Sequence, residues 1–159
     1  MLFNSVNFIF AFLPIVVAGY YVLSLSPLAF LRRPFLILAT LAFYGLAGAQ
    51  FLPLLLASVV LNFIAGQVIG RLGARAGAKA GVIALAVVAN LLVLGYFKYF
   101  NFLLTAINDA FGAGFAIESI LLPLGISFFT FQQIGYLVDV SRGKIKPAGA
   151  LDYGSFVLF

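Results

Sequence analysis

The stretch Leu121–Lys146, LLPLGISFFTFQQIGYLVDVSRGKIK, decides how the rest of the chain is read. It is an apolar span that nonetheless carries Ser127, Thr130, Gln132, Gln133, Tyr136 and Asp139, and it ends in Arg142, Lys144 and Lys146. A hydrogen-bonding group left unpaired in hydrocarbon costs several kcal/mol, so a helix with this inventory must turn its polar side towards other helices. Gln132, Tyr136, Asp139 and Gly143 recur at intervals of four, three and four. That spacing predicts one polar stripe on an otherwise Leu/Ile/Phe/Val surface. The stripe is a candidate for direct substrate contact. The plainer alternative is that its amides and phenol bind helices together, worth about 1 kcal/mol each in a membrane.

Composition supplies the solvent in which this span must work. A soluble domain is about half apolar and a quarter charged, whereas this chain is 65% hydrophobic and 8% charged and cannot cover a globule with water-compatible side chains. The expected fold is therefore an all-α, polytopic integral membrane bundle. The 159 residues leave room for five transmembrane helices and the start of a sixth, at about 20 residues per span. The apolar runs lie at approximately 6–25, 35–48, 51–69, 82–104 and 120–138, in a single transmembrane domain. Although the net charge is +5, the cations sit in short clusters between those runs. This is the pattern of topology signals and gives no continuous basic face for nucleic acid.

Two residue types are missing, and both absences exclude chemistry. Without Cys there is no disulfide, thiolate metal site or thiol nucleophile in these residues. Without His, neither a Ser/His/acid triad nor a zinc site can be assembled from them alone, so no catalytic base and no metal ligand set is assigned.

Along the chain, the first run lacks both a positive leader and a small-residue cleavage site and reads as a retained span. Ser26-Pro27 and Arg32-Arg33-Pro34 separate it from the second run, and Gly45–Gln50 is an uncharged break before the third. Arg71, Arg75 and Lys79 are spaced to lie on one helical face, as an anchor against lipid phosphates. Thr105–Ser119 reads as a Gly-containing linker with Asp109 and Glu118, and Asp152–Phe159 as the beginning of another helix.

The charge pattern tests this model. Arg32/Arg33, Arg71/Arg75/Lys79 and Arg142/Lys144/Lys146 all fall on the same side of five alternating spans, while the other two loops hold no Lys or Arg. The positive-inside bias then places the N-terminus outside and the basic loops in the cytoplasm.

Several structural contacts follow. The third and fourth runs form a hairpin in which Asn62 and Asn90 stand equally far from the turn, which predicts that their amides pair with one another or with a shared partner. The alternative is that each bonds a backbone carbonyl. Asp139 and Arg142, three apart, predict a local ion pair. Lys98, flanked by Tyr96, Phe97, Tyr99 and Phe100, suits an aromatic belt to which it snorkels. The functional alternative for Lys98 is a cation lining an outward cavity, where it would attract an anionic polymer or an acyl carbonyl.

A resemblance rests on particular strings. Met1-Leu-Phe-Asn-Ser5, Phe12-Leu-Pro14, Tyr20-Tyr21, Phe43-Tyr44-Gly45, Asn90 through Phe102, and Leu122 through Phe131 continuing to Asp139-Val-Ser-Arg142-Gly143 together resemble the N-terminal third of bacterial membrane-bound O-acyltransferases, particularly the alginate-acetylating members. Two departures are visible. Relatives usually carry Trp after the Tyr corresponding to Tyr44, and Tyr where Ser141 stands.

The resemblance implies a larger multi-pass enzyme of the bacterial inner membrane. It would take an acetyl or other acyl group from a cytoplasmic donor, such as acetyl-coenzyme A or an acyl carrier, to hydroxyls of an exopolysaccharide or cell-envelope polymer. The implied catalytic His lies beyond the matched region, so the chain is expected to be an N-terminal fragment without activity by itself. Implied partners are the lipid bilayer, the C-terminal remainder of the enzyme, extracytoplasmic acetylation proteins and the polysaccharide acceptor, with no nucleic acid. Under this reading Lys98, Asn101, Gln132, Gln133 and Tyr136 are candidates to line the substrate tunnel, and Asn62, Asn90, Asp139 and Arg142 make structural polar contacts. The competing readings are a noncatalytic scaffold of a polymer-modifying complex and a transporter with polar midplane residues.

Overall fold

A computed structural model describes residues 5–73, 75–112 and 121–158, which are helical almost throughout and include no strand. The helices are α1 (Leu13–Leu25), α2 (Arg32–Gly48), α3 (Leu52–Arg71), α4 (Ala76–Phe111), α5 (Ile126–Ser141) and α6 (Ala150–Leu158). Three helical segments among the described residues are long and apolar enough to cross a membrane: Phe8–Leu25, Ala29–Arg71 and Ala76–Phe111. Large apolar side chains such as Phe10, Leu25, Leu85, Leu92 and Phe102 stand exposed along these segments. In water such surfaces would aggregate; in a bilayer they face their solvent.

The second segment holds two helices. Gly48 leaves the α-region at φ −179°, ψ 73°, and a short 3₁₀ turn over Ala49–Phe51 hands the chain to α3. Prolines mark helix beginnings, because the ring removes a donor that the first turn does not use. Pro34 and Pro53 each sit in the first turn of their helix. Pro14 instead follows a continuous helical segment, and the turn ahead of it over Phe8–Phe12 is widened to π geometry, with the Leu13 N–H donating to the Phe8 carbonyl. The wider turn makes room where the proline ring would meet the preceding carbonyl.

The ends of the helices differ from those of the apolar runs that announce them. The fourth run, 82–104, becomes a helix over Ala76–Phe111, so Thr105–Phe111 is helical and not linker. Helix α5 begins at Ile126, after Pro123 and after Gly125 at φ +70°, and continues to Ser141. Hydropathy marks the hydrocarbon-compatible part of a helix, while turn residues such as Gly125 mark its ends. The cations Arg71, Arg75 and Lys79 do not share a face. Arg71 closes α3, Gly73 at φ +55° turns the chain, Arg75 precedes the first residue of α4, and Lys79 lies in its first turn.

The chain divides into two compact units, one comprising the chain up to Gln67 together with the segment from Pro147, the other running from Val68 to Lys146. In the first, α1 packs on α2, and α6 also packs on α2. Tyr153 is buried, its ring 5.7 Å from that of Phe63, and Val157 is buried beside it on α6. Gln67 donates through Nε2 to the Ala148 carbonyl at 2.8 Å. Arg33 pairs with Asp152, joining the first turns of α2 and α6. In the second unit, α4 and α5 pack against each other.

Candidate functional site

In the second unit the polar groups of interest lie on two helices, and each helix has a distinct inner side. On α5 the buried residues are Ile126, Phe129, Thr130, Gln133, Tyr136, Leu137 and Val140. Ile126, Thr130, Gln133, Leu137 and Val140 repeat at four, three, four and three, the spacing that keeps a seam on a packed neighbour. The polar stripe expected through Gln132, Tyr136, Asp139 and Gly143 has this same period but stands one residue out of phase. Gln133, fully buried, is its centre, with Thr130 and Tyr136 beside it. Gln132 is half-buried, and Gly143 lies beyond the helix.

On α4 the least exposed side runs through Asn90, Leu94, Phe97, Asn101, Leu104 and Asn108. These residues repeat at four, three, four, three and four, so three asparagines share one seam with three large apolar residues. Thr130, noted only among the polar groups of its span, and Asn108 are the polar members of these seams that the sequence reading did not offer as candidates. Their signal was the period of their apolar neighbours, which fixes the seam more reliably than the polar residues do.

Each candidate has a definite place. The Asn90 amide donates through Nδ2 to the Ala86 carbonyl at 2.8 Å, and the Asn62 amide to the Ser58 carbonyl at 2.9 Å. One hydrogen bond of each amide is thus made within its own helix, four residues back, a geometry that settles a polar donor inside hydrocarbon. Lys98 is exposed, and its Nζ lies 5.4 Å from the centroid of the Tyr99 ring, within cation–π range. It is not on the seam that carries Asn101. Among the described residues, buried side-chain atoms without a hydrogen-bond partner include Asn101 Oδ1 and Gln132 Oε1.

Asp139 pairs with Lys144 at 3.4 Å, and not with Arg142 as the spacing on a continuous helix suggested. The helix ends first. Gly143 adopts φ +71°, the Gly143 N–H donates to Val140 and the Lys144 N–H donates to Asp139. This is a Schellman cap, which folds the chain back and sets the residue after the glycine over the last turn. Its usual apolar contact between those two positions is here an ion pair.

With this geometry in place, comparison with known proteins is informative. The chain is 41% identical over 162 residues to the probable alginate O-acetylase AlgI of Azotobacter vinelandii, a match covering 99% of this chain and 32% of that protein. It is 40% identical over 162 residues to the protein of the same name in Pseudomonas aeruginosa, covering 99% of this chain and 30% of the other. It is 40% identical over 147 residues to the peptidoglycan O-acetyltransferase of Helicobacter pylori, covering 89% and 27%. The chain is similar along nearly its whole length to proteins named as O-acetylating enzymes. It spans about a third of the length of these curated relatives. No family model and no solved structure matches it. The membrane-bound O-acyltransferase resemblance runs along nearly the whole chain and includes both seams of the second unit.

Proposed function

We propose that these helices form part of the membrane-embedded body of an O-acyltransferase that esterifies hydroxyls of an exopolysaccharide or cell-envelope polymer. The observation carrying this reading is the 41% identity over 99% of the chain to a protein named as an alginate O-acetylase. The buried polar groups of α4 and α5 support it, because a membrane protein that only had to be held together could fill those seams with apolar side chains.

The chemistry divides the labour. The acceptor oxygen bonds the acyl carbon while the carbon–sulfur bond of a thioester donor breaks, and the hydroxyl proton passes to a base and on to the departing thiolate. The donor would be acetyl-coenzyme A or an acyl carrier reaching the enzyme from the cytoplasmic side. With no His in these 159 residues, the base comes from elsewhere in the enzyme. What these helices contribute is positioning and the exclusion of water from the activated acyl group. Thr130, Gln133 and Tyr136 on α5 and Asn101 on α4 are the groups that would line such a passage. The basic turns then lie in the cytoplasm and the polymer is met outside, in the inner membrane of a bacterium.

Deleting the coding sequence from its host tests the reading. Alkali-labile acetyl esters on the surface polymer should disappear and return on complementation. Unchanged ester content in the deletion strain would contradict it.

A further inference from the structure

One cation stands apart from the rest. Of the nine Lys and Arg residues, all but one belong to the clusters Arg32/Arg33, Arg71/Arg75/Lys79 and Arg142/Lys144/Lys146, and the exception is Lys98 on α4. Lys79 and Lys98 are about 28 Å apart along that helix, close to the thickness of the hydrocarbon layer, and the residues between them are apolar except for Asn90 and Tyr96. The two lysines therefore reach opposite interfaces, and Lys98 is a positive charge kept on the side that the positive-inside bias leaves bare. We infer that Lys98, with Tyr99 and Phe102 beside it, receives a carboxylate-bearing residue of an acidic sugar polymer. The inference rests on the acyl-transfer reading and deepens it by naming the class of the acceptor.

The three side chains share one helical face, since Phe102 lies four residues past Lys98 and three past Tyr99. All three are exposed, and Lys98 Nζ stands 5.4 Å from the centroid of the Tyr99 ring. That face is turned away from the seam through Phe97, Asn101 and Leu104. Among the described residues no carboxylate neutralises Lys98. Asp139 and Asp152 are paired with Lys144 and Arg33, and Asp109 is about 16 Å away along the helix. An ammonium carries three donors and no acceptor, so it selects an anion however its side chain is turned. The rings beside it give apolar surface for the C–H face of a sugar. A lipid phosphate would satisfy the charge as well, but the position favours the polymer. Helix α4 runs on to Phe111, about 20 Å beyond Lys98, and carries Asn101, Thr105, Asn108 and Asp109 there. Lys98 thus stands beside a wall that rises out of the hydrocarbon, and not at a helix end in need of an anchor. The break at Gly45–Gln50, assigned to the same side, has no cation, so anchoring at that interface does not call on one.

The test uses the protein that carries this chain, purified in nanodiscs, with two acceptors: an oligouronate and the same oligomer as its neutral methyl ester. The unsubstituted protein should show a KM for the oligouronate about three- to fivefold below that for the ester, the weight of one solvent-exposed ion pair. Lys98→Gln should bring the two KM values together, Lys98→Arg should keep them apart, and about 0.5 M salt should remove the difference in the unsubstituted protein. Equal KM values in the unsubstituted protein, or a preference that survives in Lys98→Gln, would overturn the inference. The lipid alternative has its own arm. A melting temperature that falls in Lys98→Gln only in nanodiscs containing phosphatidylglycerol, with the acceptor preference intact, would make Lys98 an anchor to lipid phosphate. Calorimetric binding of the two oligomers separates the contact from the reading beneath it. Selective binding, abolished in Lys98→Gln, by a protein that transfers no acyl group would sink the acyl-transfer reading and leave the carboxylate contact standing, whereas transfer without selectivity would sink the contact alone.

Discussion

The guanidinium of Arg33 meets the carboxylate of Asp152 from 119 residues away along the chain. Both side chains are about half exposed, so screening keeps the net contribution small even though the geometry is close. The attachment of α6 to its unit rests instead on the buried Tyr153 and Val157. Asp152→Asn should lower stability by less than about 1 kcal/mol, whereas Tyr153→Ala should cost about 3 kcal/mol. Chemical denaturation in detergent, followed by helical circular dichroism, distinguishes the two. Equal losses would show that the ion pair, and not the ring, fastens the helix.

Packing of α1 on α2 depends on the absence of a side chain at Gly19. A Cβ there would stand 2.6 Å from Cζ of the Phe35 ring. Gly19→Ala should therefore destabilise by about 1–3 kcal/mol through overpacking. Shortening the ring as Phe35→Leu in the same molecule should recover most of that loss. The check is a double-mutant cycle on the melting temperature, and strict additivity would mean that the two residues are not opposed in the folded protein.

The cap of α5 makes a third expectation. Gly143 occupies the left-handed region, which a side chain reaches only with strain. Gly143→Ala should cost about 1 kcal/mol. Replacing Arg142 by Gln should leave the apparent interaction between Asp139 and Lys144 unchanged, because Lys144 is the partner. A coupling between Asp139 and Arg142 larger than that between Asp139 and Lys144 would refute the cap as described.

Much of this architecture was legible before any coordinates, and the illegible part has physical causes. The apolar runs announced membrane-compatible helices because hydrocarbon tolerates few charges, and the runs are long enough for that rule to dominate. Their ends were misplaced because the residues that prolong α4 past Leu104, such as Thr105, Asn108 and Asp109, are helix-compatible yet polar. The stripe on α5 was read one residue out of phase because it was anchored on polarity. The seam through Ile126, Thr130, Gln133, Leu137 and Val140 is set by which side packs, and most of its members are apolar. The Arg33–Asp152 pair could not be seen at all, since nothing local ties the first turn of α2 to that of α6. The expected partner of Asp139 failed for a local reason: a glycine ended the helix before the ion-pair spacing could apply.

The central proposal is that hydrocarbon is the solvent of this chain and that α4 and α5 carry it out of the cytoplasmic face and back. The most direct measurement is labelling of single cysteines by a membrane-impermeant maleimide in intact cells, in a protein otherwise without cysteine. Gly77→Cys, Ala110→Cys and Ile145→Cys place the probe at exposed positions while leaving every basic residue in place. Residues 77 and 145 should be protected until the cells are opened, and residue 110 should label at once. Labelling of 77 and 145 from opposite sides would contradict the account.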